Sequence, residues 1–76
     1  MKMTLSIMVN QMTEDFIVDS KTNILESLMI IGQNTNLSID SNIQYIYSKR
    51  NDQMTSVNQT FEQALIFAGD SLIIGA

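Results

Sequence analysis

The sequence predicts an α+β domain: a mixed sheet of four to five strands in the order β-β-α-β-β-β, with one helix packed on one face. Three observations carry that prediction. Met3, Leu5, Ile7 and Val9 alternate with Thr4, Ser6, Met8 and Asn10, the period of a strand with one buried face. From Ile24 to Ile31 the apolar spacing changes to three and four, the stripe of an amphipathic helix. The run Leu72-Ile73-Ile74 has too few polar residues for an edge and reads as a central strand beside the first. A single helical stripe is buried most economically on one face of a sheet.

The elements follow in order. After the first strand, Asn10-Gln11-Met12-Thr13 forms a turn, and Phe16 and Val18 point one way and Ile17 the other in a second strand ending at Asp19-Ser20. Two such runs this close together form a hairpin. The helix runs from about Asn23 to Gly32 or Asn34. Thr22 or Asn23 caps it, with Glu26 in a capping-box position, and Gly32 is suited to close it in the left-handed conformation. Leu37 and Ile39 fold a loop under the helix. Ile43–Ser48 is a third strand rich in β-formers, Lys49-Arg50-Asn51-Asp52 a polar turn, and Met54–Val57 a short fourth strand. Thr60-Phe61-Glu62-Gln63 repeats the capping-box pattern and opens one helical turn through Ala64-Leu65. Ala68-Gly69-Asp70-Ser71 then turns into the last strand.

Composition bounds function. The chain has 76 residues, enough for a single domain, 1–76. It has no Cys and no His, so thiolate nucleophiles, imidazole bases, Zn–Cys sites and His-ligated metals are excluded. The reading is therefore non-enzymatic, with no cofactor and no metal. A formal charge of −4 argues against nucleic acid, which selects a basic stripe. The longest apolar runs fall far short of a membrane span, and the N-terminus lacks the continuous apolar stretch of a signal peptide. A cytoplasmic domain with no direct membrane insertion is expected, as a monomer or weak homo-oligomer.

The element order, with an acid at the turn before the last strand, resembles the ubiquitin-like β-grasp fold. The residues carrying the likeness are the hairpin Met3–Asp19, the helix Ile24–Ile31, and Thr60–Leu65 leading to Gly69-Asp70-Ser71-Leu72. Within that superfamily the chain is similar to the YukD/EsaB family of type VII (WXG100-exporting) secretion systems of Gram-positive bacteria. That likeness lies in Asn36–Asp40, the Ile43–Ser48 strand and Ala68–Ile74. The resemblance implies an accessory cytoplasmic component at a membrane secretion complex, docking onto a secretion ATPase or a membrane subunit. The alternative it leaves open is a protein modifier or sulfur carrier activated at its C-terminus. Such proteins end in a flexible Gly-Gly tail, whereas Gly75-Ala76 follows the last strand here.

Candidate partner-binding residues are the apolar positions that the pattern leaves outside the core. Met8 lies on the polar side of the first strand. Ile43, Tyr45 and Tyr47 share one face of the third, opposite Ile46, and either face could meet the core. If Ile46 does, then Ile43, Tyr45 and Tyr47 join Met8 in a surface patch suited to adaptable and anchoring contacts. Lys49-Arg50, the only basic doublet, sits at a turn where it meets solvent or an acidic partner. Glu14, Asp15 and Asp19 form an acidic group on the second strand, a solvated edge or the complement of a basic partner. Asp40-Ser41-Asn42 opens like a calcium loop, but Tyr45 and Asn51 stand where Gly and Glu belong, so the loop is read as capping its own backbone.

Overall fold

A computed structural model describes residues 1–75. Its elements are β1 (Lys2–Val9), β2 (Met12–Asp19), α1 (Ile24–Asn34), β3 (Tyr45–Ser48), β4 (Gln53–Ser56) and β5 (Ser71–Ile74). The sheet has the order β2-β1-β5-β3-β4. β1 and β5 run parallel and all other pairs antiparallel. The last strand, apolar from Leu72 to Ile74, therefore sits at the centre, beside the first.

The β1 alternation buries Met3, Leu5, Ile7 and Val9. Against them lie Ile24, Leu28 and Ile31 of α1, with Ile46, Leu72 and Ile74 from the other strands. Leu37 is buried and Ile39 packs against the same core, so the segment after the helix does tuck beneath it. Among the described residues, no helix is long and apolar enough to cross a membrane.

The helix ends differ in how they were foreshadowed. Asn23 is the N-cap, its Oδ1 accepting from the Glu26 N–H at 3.2 Å. Two further orphan N–H groups, those of Ile24 and Leu25, donate to the carbonyls of Gln59 and Val57 at 2.8 and 3.0 Å. At the other end, Gly32 does not close the helix. It lies inside α1, and a Cβ there would meet Ile39 Cβ at an ordinary 3.6 Å. Side chains terminate the helix instead: Asn34 Nδ2 donates to Ile30 O and Thr35 Oγ1 to Ile31 O, both at 2.8 Å.

Other boundaries also shift. β2 begins at Met12, because a two-residue turn at Asn10-Gln11, with Asn10 at φ 58°, brings Met12 opposite Val9. β3 begins at Tyr45 rather than Ile43, and β4 spans Gln53–Ser56 with Val57 buried beyond it.

The turn at 60–66 is built as the sequence implied. The Thr60 N–H donates to Gln63 Oε1 and the Gln63 N–H to Thr60 Oγ1, both at 3.0 Å, a reciprocal capping box. It closes with bonds from Ile66 N to Phe61 O (3.0 Å) and from Leu65 N to Glu62 O (3.1 Å), and Leu65 takes φ 60°. That is a Schellman closure with leucine at the left-handed position, sealed by the buried pair Phe61 and Ile66.

Candidate functional site

Strand register assembles the site. Met8 stands opposite Ile73 across β1–β5, Ile73 opposite Tyr47 across β5–β3, and Tyr47 opposite Met54 across β3–β4. Because Ile7, Leu72 and Ile46 point to the helix, their neighbours Met8, Ile73 and Tyr47 point away from it. Ile46 is fully buried, which answers the open choice between the two faces of the third strand. Four apolar or aromatic side chains thus form one row across the outer face of four strands, about 14 Å long at the usual strand spacing. Tyr45, two residues along β3, extends the row toward one end of the sheet. Met8, Tyr45 and Met54 are exposed, and Tyr47 and Ile73 half-buried.

One member of the row is fixed in place. The Tyr47 hydroxyl donates a hydrogen bond to Asp52 Oδ1, and Asp52 sits at φ 52° in the β3–β4 turn. By accepting that proton, the carboxylate raises the phenol pKa above its ordinary value. The ring is thereby held across the row by a bond at its tip.

The remaining candidates lie around this row. Ile43 is not on the outer face. It precedes β3 and packs, half-buried, against the core, lining a groove of about 430 Å³ at the end of the sheet with Val9, Asp40, Tyr45, Met54 and Ile74. Lys49 and Arg50 are exposed in the β3–β4 turn. Lys49 is placed by its N–H on Ser71 O at 2.9 Å. Arg50 is engaged on two sides, its backbone N–H on Asp70 Oδ1 and its Nη1 on Ala68 O, each at 3.0 Å. Asp40 Oδ1 accepts from the Asn42 N–H at 2.8 Å, so this loop caps its own backbone. Among the described residues no group of three or more carboxylates is placed to hold a metal.

Sequence reasoning missed Ile73 and Met54. Within Leu72-Ile73-Ile74, period two alone places Ile73 on the opposite face from its neighbours, but all three residues are apolar, so residue type does not mark which of them faces outward. Met54 carried no comparable signal, because its strand is short and polar.

Asp70 underpins this arrangement. It is 1% exposed. Its Oδ2 accepts from Ser48 Oγ at 2.5 Å, and its Oδ1 from the N–H groups of Arg50 (3.0 Å) and Ser71 (2.7 Å). The carboxylate ties the end of β3 to the start of β5, which sets Tyr47 against Ile73.

Comparison with known proteins places the architecture. The chain is similar in structure to the N-terminal ubiquitin-like domain of the 4931431F19Rik protein, with a TM-score of 0.68 and 9% identity over 99% of this chain and 76% of that one. It is also similar to the UBL domain of Plasmodium falciparum Dsk2, with a TM-score of 0.69 and 13% identity over 96% of this chain and 97% of that one. No family model and no curated protein matches the sequence. The likeness is one of fold, and the fold is the ubiquitin-like β-grasp.

Proposed function

We propose that this chain is a non-catalytic docking module that binds a protein partner through the outer face of its sheet. The observation that carries the reading is the outer-face row Met8–Ile73–Tyr47–Met54, exposed at its two ends and half-buried at its centre, with exposed Tyr45 beside it. A contiguous exposed apolar surface marks an interaction site more often than scattered single residues do. Met adapts its shape to a partner, and Tyr gives a rigid anchor at low entropic cost. Lys49 and Arg50, together in the β3–β4 turn on one side of the row, favour a partner with acidic groups at its rim.

The finer reading rests on the resemblance of Asn36–Asp40, Ile43–Ser48 and Ala68–Ile74 to the YukD/EsaB family. On that basis the partner is a component of a type VII (WXG100) secretion machine, the cytosolic part of its ATPase or a membrane subunit. The module then works in the cytoplasm at the periphery of the membrane complex, with no enzymatic step and no cofactor.

Titration calorimetry against the cytosolic part of an FtsK-like secretion ATPase encoded beside a WXG100 protein tests this. Met8→Asp and Tyr47→Asp, each folded by circular dichroism, are expected to weaken binding at least tenfold. Unchanged affinity in both sinks the docking face. Isopeptide adducts through Gly75 in native extract, found by mass spectrometry, would favour the modifier reading instead.

A further inference from the structure

The chain has no Cys and no Trp but 6 Met. Without thiols, its thioether sulfurs are the groups most open to two-electron oxidants such as peroxides. The fold sorts these methionines. Met3 is buried, and Met29 is half-buried against the core. Met1, Met8, Met12 and Met54 are exposed. Met12 stands opposite Val9, whose side chain faces the core, and lines a groove with Gln33 and Asn34 of α1. It therefore lies on the helix side of the sheet, and Met1 precedes β1.

Met8 and Met54 are placed differently. They close the two ends of the outer-face row, Met8 beside Ile73 and Met54 beside Tyr47. Met8 is 37% exposed and Met54 63%, so a small oxidant reaches either sulfur. Between them Ile73 and Tyr47 are half-buried. Two oxidisable atoms thus flank the apolar centre of the docking face, and neither side chain belongs to the core.

A sulfoxide here has no ready partner within the row. Ile73 carries no donor, and the Tyr47 hydroxyl already donates to Asp52. Once a partner covers the face, each S=O dipole is taken out of water without a donor from its row neighbour, and an unsatisfied buried acceptor weakens association.

We propose that Met8 and Met54 are a paired oxidation site, at which a peroxide turns the outer face from apolar to polar and releases the partner. The inference rests on the docking reading above. In the step, the thioether sulfur attacks one peroxide oxygen and the O–O bond breaks as the S–O bond forms. Sulfur loses two electrons, hydrogen peroxide is reduced, and its second oxygen leaves as water. Thiol-dependent methionine sulfoxide reductases reverse the change.

The test treats the full, folded chain with dilute hydrogen peroxide and follows each methionine by peptide mass spectrometry. Met8 and Met54 are expected to oxidise at least about fivefold faster than Met3 and Met29. Circular dichroism should stay unchanged, while retention on a phenyl matrix falls. Affinity for the cytosolic part of the FtsK-like ATPase should drop at least about tenfold on oxidation and return after reductase treatment. The readout is the ratio before and after peroxide within each variant. In Met8→Leu/Met54→Leu that ratio should be one, and in Met12→Leu it should match the unsubstituted chain.

Oxidation of Met8 and Met54 no faster than that of Met3 would overturn the proposal. So would unchanged phenyl retention, an unchanged affinity ratio, or a loss that persists in Met8→Leu/Met54→Leu. If the untreated chain does not bind the ATPase, the docking reading fails by itself, and the oxidation rates and phenyl retention still decide whether this pair switches the face.

Discussion

Two acidic residues, one beside the central strand of the sheet and one on its edge strand, have opposite surroundings. Asp70, at the β3–β5 junction, is almost fully buried and accepts from one hydroxyl and two backbone N–H groups. Asp15, on the β2 edge, is exposed and accepts from one serine. A buried carboxylate persists only where hydrogen bonds replace its hydration, and removing it leaves each donor unsatisfied in a dry environment. An exposed carboxylate leaves only water behind. One region is therefore specified by internal bonding, and the other is left largely to solvent.

The largest expected effect is at that contrast. Asp70→Ala should cost about 3 kcal/mol of stability, because Ser48, Arg50 N–H and Ser71 N–H lose their acceptor together. Asp15→Ala should stay within about 0.5 kcal/mol, as surface substitutions usually do. Urea denaturation of both variants decides it, and equal costs would dissolve the comparison.

The same junction predicts a smaller loss one residue earlier. Gly69 has φ 88°, and a Cβ there would stand 3.0 Å from Arg50 Nη2. The arginine tip can move aside, so most of the penalty is the left-handed backbone, and Gly69→Ala should cost about 2 kcal/mol. Next in size is a gain. Leu65 holds φ 60° while its side chain is 63% exposed, so little packing offsets the strain. Leu65→Gly relieves about 1–2 kcal/mol of left-handed cost and loses about 0.5–1 kcal/mol to unfolded-chain entropy. A net stabilisation centred on about 0.7 kcal/mol, and at most about 1.5 kcal/mol, should raise the urea midpoint without changing the slope. A lower midpoint would mean that the leucine side chain contributes packing its exposure does not suggest.

These contrasts also mark what the sequence could reveal. β1, the apolar stripe of α1, the Asn23 cap and the Thr60–Gln63 box were legible because each depends on residues at most four apart. Gly32 was misread because a glycine near the end of a stripe looks like a stop, whereas Asn34 and Thr35 cap the last carbonyls. The acids Glu14 and Asp15 obscured the start of β2, whose length is dictated by its pairing with β1. Asp70 was visible as an acid before the last strand. Its burial depends on Ser48, 22 residues away in sequence, and no local pattern encodes that. The outer-face row was half legible: Met8, Tyr45 and Tyr47 stood out as apolar residues at polar positions, while Ile73 was masked by its apolar neighbours.

The smallest effect belongs to Asp19, at the end of the β2 edge, and shows as a pH dependence. The Lys21 backbone N–H donates to its Oδ1 at 3.0 Å and the Met1 amino group at 3.3 Å. Led by the Lys21 bond, these contacts hold its pKa below the ordinary carboxylate value. A carboxyl with a depressed folded pKa binds fewer protons folded than unfolded. Its contribution to stability is therefore complete above the unfolded value of about 3.9 and is lost as pH falls through the folded one. Asp19→Asn removes that titration, so the wild-type advantage should shrink between pH 5 and pH 2 in paired urea melts. An advantage that stays constant over this range would mean that the carboxylate gains nothing from folding.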